Sequence, residues 1–307
     1  SVSHMMIEPT IIYECWDYLL ISIVTATFFS MVSARFANKV NAKVVGYVTG
    51  TVLFLLGVVL VFLNYRDKID MVFFGEVIRL FGIYIAYIVV LALSLIIVRF
   101  TTKVPDYIFR KLLHVVAFTS ILPLVFCTDS WQAAVVVEII FLIIVIIALL
   151  FFEKYDFYKN IFIEKGKHEV VTSFVMLFGL MTILLAVFWG CFGEEYKYII
   201  VTAIMAWGPG DAAAAIVGKN FGKHKLSGRF IEGTKSVEGS VAMAVTSFIC
   251  TFVTLIFMSG FAWPVVFAVS LVVAPIASLV ELFTNKGLDT VTVPIAVSLL
   301  LCVTMLI

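Results

Sequence analysis

The chain has 307 residues, 63% of them hydrophobic and only 13% charged, with a formal net charge of +1 and a mean hydropathy of +1.15. Soluble domains average about 45–50% apolar and about 25% charged residues, so this chain cannot cover itself with a polar surface. Its balanced charge gives no basis for a nucleic-acid partner, and the lack of apolar/polar alternation in short segments excludes a transmembrane barrel.

A helix that crosses a bilayer is apolar on all sides over about 20 residues. Segments of that kind predict spans near 12–34, 43–64, 71–99, 112–127, 131–152, 170–190, 197–217, 236–259, 261–283 and 288–307. The expected fold is all-α, a polytopic transmembrane helical bundle of about ten spans. Residues 1–5 (SVSHM) read as a cloning remnant, and 6–307 as one transmembrane domain. Within it, 6–104 holds three spans with little specific chemistry and 105–307 holds the seven that carry it. Gly46 and Gly50 form a small-xxx-small pair suited to close helix contact. Cys15, Cys127, Cys191, Cys250 and Cys302 show no C-x-x-C spacing, so neither a zinc site nor a disulfide framework is indicated.

Orientation follows from Lys and Arg. With the N-terminus outside, the inside connections hold 17 of the 21 basic residues, among them Arg35, Arg99, Arg110, Lys154, Arg229 and Lys286. Outside connections hold only Arg66, Lys68 and Lys197. That asymmetry predicts an outside N-terminus. The lack of an N-x-S/T sequon fits a prokaryotic plasma membrane better than the endoplasmic reticulum.

Several ionisable residues fall inside the spans. Glu76 and Arg79, three apart, are expected to pair with each other. Glu138 lies deep in the fifth span, where it either lines a cavity or takes a buried partner. At the start of the fourth span, Arg110, Lys111 and His114 share one helix face. The basic pair alone is also what an interfacial anchor looks like.

The segment from Trp207 to Val245 differs from everything around it. Gly208-Pro209-Gly210 is expected to interrupt a greasy span and expose backbone beside Asp211. A carboxylate at such depth suits a divalent cation, since Mg²⁺ takes one or two carboxylates plus substrate phosphates. Downstream come Lys219, Lys223, Lys225 and Lys235 among Gly218, Gly222, Gly228 and Gly233, with Ser236 and Glu238 opening the next span. Lysines neutralise phosphate charge, and glycines admit a ligand to the backbone. Glu281 and Asp289 flank a short turn on the same predicted side. The combination suggests a polyphosphate–metal site at the membrane surface, although no standard phosphate-loop spacing is present.

Two elements here resemble the polyprenol kinase family, which includes dolichol kinase, phytol kinase and a fungal CTP-dependent diacylglycerol kinase. They are Arg110-Lys111-Leu112-Leu113-His114 and the run from Gly210-Asp211 through Lys235-Ser236-Val237-Glu238-Gly239-Ser240. The resemblance runs from about 105 to 300. The family's C-terminal "DN" turn appears as Asp289-Thr290, with Thr in place of Asn. The later element is shared with phosphatidate cytidylyltransferases, whose own C-terminal signature is missing.

The resemblance implies transfer of the γ-phosphoryl group of CTP to a lipid alcohol such as a polyprenol, phytol or diacylglycerol. It implies Mg²⁺ held by Asp211 with Glu238, Glu281 or Asp289. Gly210, Gly218, Lys219, Gly222, Lys223, Lys225, Lys235 and Ser236 would bind nucleotide. Arg110, Lys111 and His114 would join Asp211 in catalysis, with either His114 or a carboxylate orienting the alcohol. A cytidylyltransferase and a transporter of a phosphorylated solute are the competing readings.

Overall fold

The computed structural model describes residues 9–37, 39–65, 70–155, 158, 169–228, 231, 233–284 and 287–306. Residues 1–5 and several basic residues of the charge count (Arg66, Lys68, Lys159, Lys165, Lys167, Arg229 and Lys286) lie outside them.

Among the described residues eleven α-helices follow one another: α1 (Pro9–Phe36), α2 (Val40–Tyr65), α3 (Met71–Thr101), α4 (Asp106–Thr119), α5 (Ile121–Phe126) and α6 (Trp131–Phe152), then α7 (Glu169–Leu184), α8 (Lys197–Phe221), α9 (Val237–Met258), α10 (Trp263–Phe283) and α11 (Asp289–Leu301). A π-helical stretch, Leu185–Cys191, extends α7. No strand forms among the described residues, and ten helical segments are long and apolar enough to cross a membrane. The chain is thus built as a multi-pass membrane protein, with spans close to the expected ones. The largest boundary differences are at the fourth span, which starts at Asp106 and is stepped at Ser120, and at the seventh, which runs to Phe221.

Local chemistry sets several ends. Asp70 and Ser130 cap α3 and α6 by accepting the N–H of Phe73 at 2.8 Å and of Ala133 at 3.1 Å. Arg99 closes the α3–α4 corner through Asp106 at 2.6 Å.

The helix α8 is the axis of the bundle, packed against α4, α5, α9, α10 and α11. Its span is 67% buried, against 11% for α2 and 6% for α3, which turn nearly all their surface outward as lipid-facing helices do. The α1–α2 hairpin is held by the expected glycines, since a Cβ at Gly46 would lie 2.6 Å from that of Ala34.

One expectation about charge is revised and one open alternative is decided. Glu76 and Arg79 do not hold each other; Glu76 accepts from the Thr128 hydroxyl at 2.5 Å and Arg79 donates to the Cys127 carbonyl at 3.0 Å. Both therefore fasten α3 to the α5–α6 turn, where a carbonyl and a hydroxyl are available at matched depth. Glu138 takes a buried partner: the Tyr84 hydroxyl lies 2.6 Å from its Oε2, and both residues are fully enclosed. Glu138 Oε1 has no partner in the core. Tyr84→Phe would leave the whole carboxyl unbonded, and it is expected to lower stability by about 1–3 kcal/mol. The thermal midpoint in detergent would measure this.

Candidate active site

Three chain segments meet at the end of the bundle where α4, α9 and α11 begin and α8 and α10 finish. The helix α4 carries Lys111, His114 and Phe118 at i, i+3 and i+7, one continuous stripe. The helix α8 presents Trp207 and Asp211 one turn apart. The two stripes run antiparallel and touch at two levels. Lys111 Nζ lies 2.5 Å from Asp211 Oδ2, and one level deeper the Phe118 and Trp207 rings meet edge-on with centroids 5.0 Å apart. This aromatic pair forms an apolar floor beneath the charged pair. His114 stands between, its ring 6.2 Å from Phe118 and within electrostatic reach of Lys111, Asp211 and Arg110.

The expectation that Gly208-Pro209-Gly210 breaks the span is overturned, because α8 runs unbroken through all three. Pro209 removes one backbone donor, and the polar backbone beside it is served from a neighbouring helix: the Ser247 hydroxyl donates to the Ala206 carbonyl at 2.6 Å. The glycines serve packing. A Cβ at Gly208 would sit 2.2 Å from the Phe118 ring, and one at Gly210 2.7 Å from Ser247 Oγ.

Gly218 and Gly222 act similarly about two and three turns on. Their missing Cβ atoms leave room for Ser236, which is buried and caps α9 by accepting the Gly239 N–H at 3.2 Å. Between α8 and α9 the described residues pair as the arms of a short hairpin. The N–H groups of Leu226 and Val237 donate to the carbonyls of Lys235 and His224, each at 3.0 Å.

Lys235 at the end of that hairpin reaches the C-terminus of α10. Its ammonium lies 3.0 Å from Glu281 Oε1 and donates to the carbonyls of Glu281, Leu282 and Thr284, the last at 2.9 Å. A lysine there satisfies helix-end carbonyls that have no intrahelical donor. Asp289, at the start of α11, lies in the electrostatic field of Asp211, Lys111, Glu281 and Lys235. The structure therefore gathers Lys111, His114, Asp211, Lys235, Glu281 and Asp289.

Other sequence candidates sit around this group. Lys223 and Lys225 are exposed on the hairpin. Lys219, also exposed, lays its ammonium 3.6 Å over the Tyr107 ring, whose hydroxyl bonds Asn220 at 2.7 Å. Glu238 turns to His224, whose Nδ1 is 2.7 Å away. Sequence reasoning did not single out Tyr107, Asn220 or His224. The only signal for Tyr107 is its place three residues before Arg110, on the same helical face.

Among the described residues no three His, Cys, Asp or Glu side chains converge as a ready metal cage. Asp211, with Glu281 and Asp289 nearby, fits instead an ion that brings most of its ligands as phosphate oxygens and water, the habit of Mg²⁺.

No protein family model matches the chain, and no solved structure does. A stretch of 97 residues is 36% identical to a phytol kinase of Synechocystis sp. (strain ATCC 27184 / PCC 6803 / Kazusa). Over about a third of its length, the chain is similar to a phytol kinase. The match covers 32% of this chain and 40% of that protein.

Proposed function

We propose that the chain is a membrane-embedded kinase that moves the γ-phosphoryl group of CTP to the hydroxyl of a lipid alcohol. The observation that carries this reading is the Lys111–Asp211 contact at 2.5 Å, which joins two motifs 100 residues apart beside His114, Lys235, Glu281 and Asp289. The partial likeness to a phytol kinase supports it.

Phosphoryl transfer asks the protein mainly for positioning and charge neutralisation. Lys219, Lys223 and Lys225, on the exposed end of α8 and the hairpin, draw the triphosphate to the surface. Lys111 and Arg110 neutralise charge on the transferring group. Asp211, with Glu281 or Asp289, would hold Mg²⁺, which when bound would supply further neutralisation of the phosphate charge. Glu238, engaged by His224, shapes the hairpin from the edge of the site. The acceptor hydroxyl arrives laterally with its tail among the helices, and His114 or a carboxylate of the group takes its proton. The Phe118–Trp207 floor keeps water from reaching the phosphoryl group from the bundle interior.

The bias of the basic residues supports a cytoplasmic position for this end and an outside N-terminus, and the lack of an N-x-S/T sequon supports a prokaryotic plasma membrane. The test is a nucleotide and acceptor panel with purified protein in detergent. CTP is expected to support phosphorylation of a prenol or diacylglycerol, and ATP much less. Consumption of neither nucleotide with any lipid alcohol, together with solute flux in vesicles, would replace the kinase by a transporter.

A further inference from the structure

The two lysines nearest the acidic group are placed differently. Lys235 is fixed by three backbone carbonyls as well as Glu281, so it is a permanent strut between the hairpin and α10. Lys111 has no comparable backbone anchor among the described residues: its ammonium bond is to Asp211 Oδ2, at 2.5 Å, with both side chains mostly enclosed. Asp211 is also the carboxylate on which metal binding depends in the function proposed above. Lys111 and the metal therefore compete for one carboxylate.

We infer that Lys111 is a counter-ion lock: it holds Asp211 until a nucleotide arrives, so the divalent ion enters with the polyphosphate and not before it. This inference rests on the kinase reading and adds an order of binding to it. An enclosed ammonium left without its counter-charge is strongly unfavourable, so Asp211 exchanges Lys111 for a cation only if Lys111 simultaneously gains another anion. A metal ion alone offers none, and it adds positive charge beside Lys111 and Lys235. A triphosphate offers several oxygens within the swing of a flexible four-carbon side chain. Because coupling between two ligands is reciprocal, nucleotide and metal strengthen each other's binding.

The readout is metal uptake, followed by the electron paramagnetic resonance signal of Mn²⁺ with purified protein in detergent. Without nucleotide, wild type is expected to take up no Mn²⁺ at millimolar concentration. Lys111→Met and Lys111→Gln free the carboxylate and are expected to take up Mn²⁺ at the concentration at which wild type takes up none. Lys111→Arg keeps the lock and stays metal-free. Uptake of Mn²⁺ by nucleotide-free wild type overturns the inference by itself, whatever the variants do. So does a monodisperse neutral variant that gains no uptake. CTP-dependent lipid labelling in the same preparations separates the two claims. Labelling with nucleotide-independent Mn²⁺ uptake sinks only the lock, whereas absence of labelling sinks the kinase.

Discussion

Asp211→Asn is expected to reduce lipid phosphorylation by at least about 100-fold, the scale seen when one preorganised charge is removed from a reacting centre. Asn keeps the shape of the side chain but cannot neutralise a cation. The substitution also has a structural consequence, because Lys111 is left enclosed without its counter-charge. Removing one member of a buried pair costs about 3–5 kcal/mol. Adding Lys111→Met to Asp211→Asn is therefore expected to recover much of the stability and none of the activity. Measuring thermal midpoint and labelled lipid on all four combinations separates the two effects. If the double variant regained activity, Asp211 would be a packing residue and the site would lie elsewhere.

Gly239→Val is expected to be the most damaging change outside the charged group. A Cβ at this position would meet the Ala214 carbonyl oxygen at 2.9 Å and the Gly218 Cα at 3.3 Å. Both neighbours are backbone of α8, so neither can rotate aside and the helices must separate. Overpacking of this kind costs about 1–3 kcal/mol. It would also shift Ser236 and Lys235, which tie α9 and α10 to the site, so activity should fall with stability. Gly82→Ala is the control, since nothing lies within 4 Å of a Cβ there. It is expected to stabilise α3 slightly, by about 0.5–1 kcal/mol. Equal melting of Gly239→Val and wild type would show that the α8–α9 contact is looser than the geometry says.

The ten spans were legible because bilayer crossing is a local property: each depends on about 20 consecutive apolar residues. The candidate residues were legible for the same reason, as short runs of unusual chemistry in greasy surroundings. What could not be read was their assembly. Nothing in RKLLH or GPGD states that Lys111 meets Asp211, because that contact comes from the antiparallel match of α4 and α8. The Gly-Pro-Gly run misled because glycine and proline punctuate helices in water, while here the glycines make room for the Phe118 ring and for Ser247, whose hydroxyl bonds the Ala206 carbonyl beside the proline. Glu76 and Arg79 misled in the opposite way. Their spacing permits a pair on one helix, but a neighbouring turn offers each a better partner. Lys235 reads in sequence as a phosphate clamp, whereas three carbonyls of α10 already occupy it.

The most direct measurement is a double-label transfer with purified protein, Mg²⁺ and CTP carrying label either at the α or at the γ phosphate. The account predicts that only γ label enters the extracted lipid, that CDP accumulates in equal amount, and that Asp211→Asn abolishes both. Entry of the α label, with release of pyrophosphate, would contradict it and make the chain a nucleotidyltransferase.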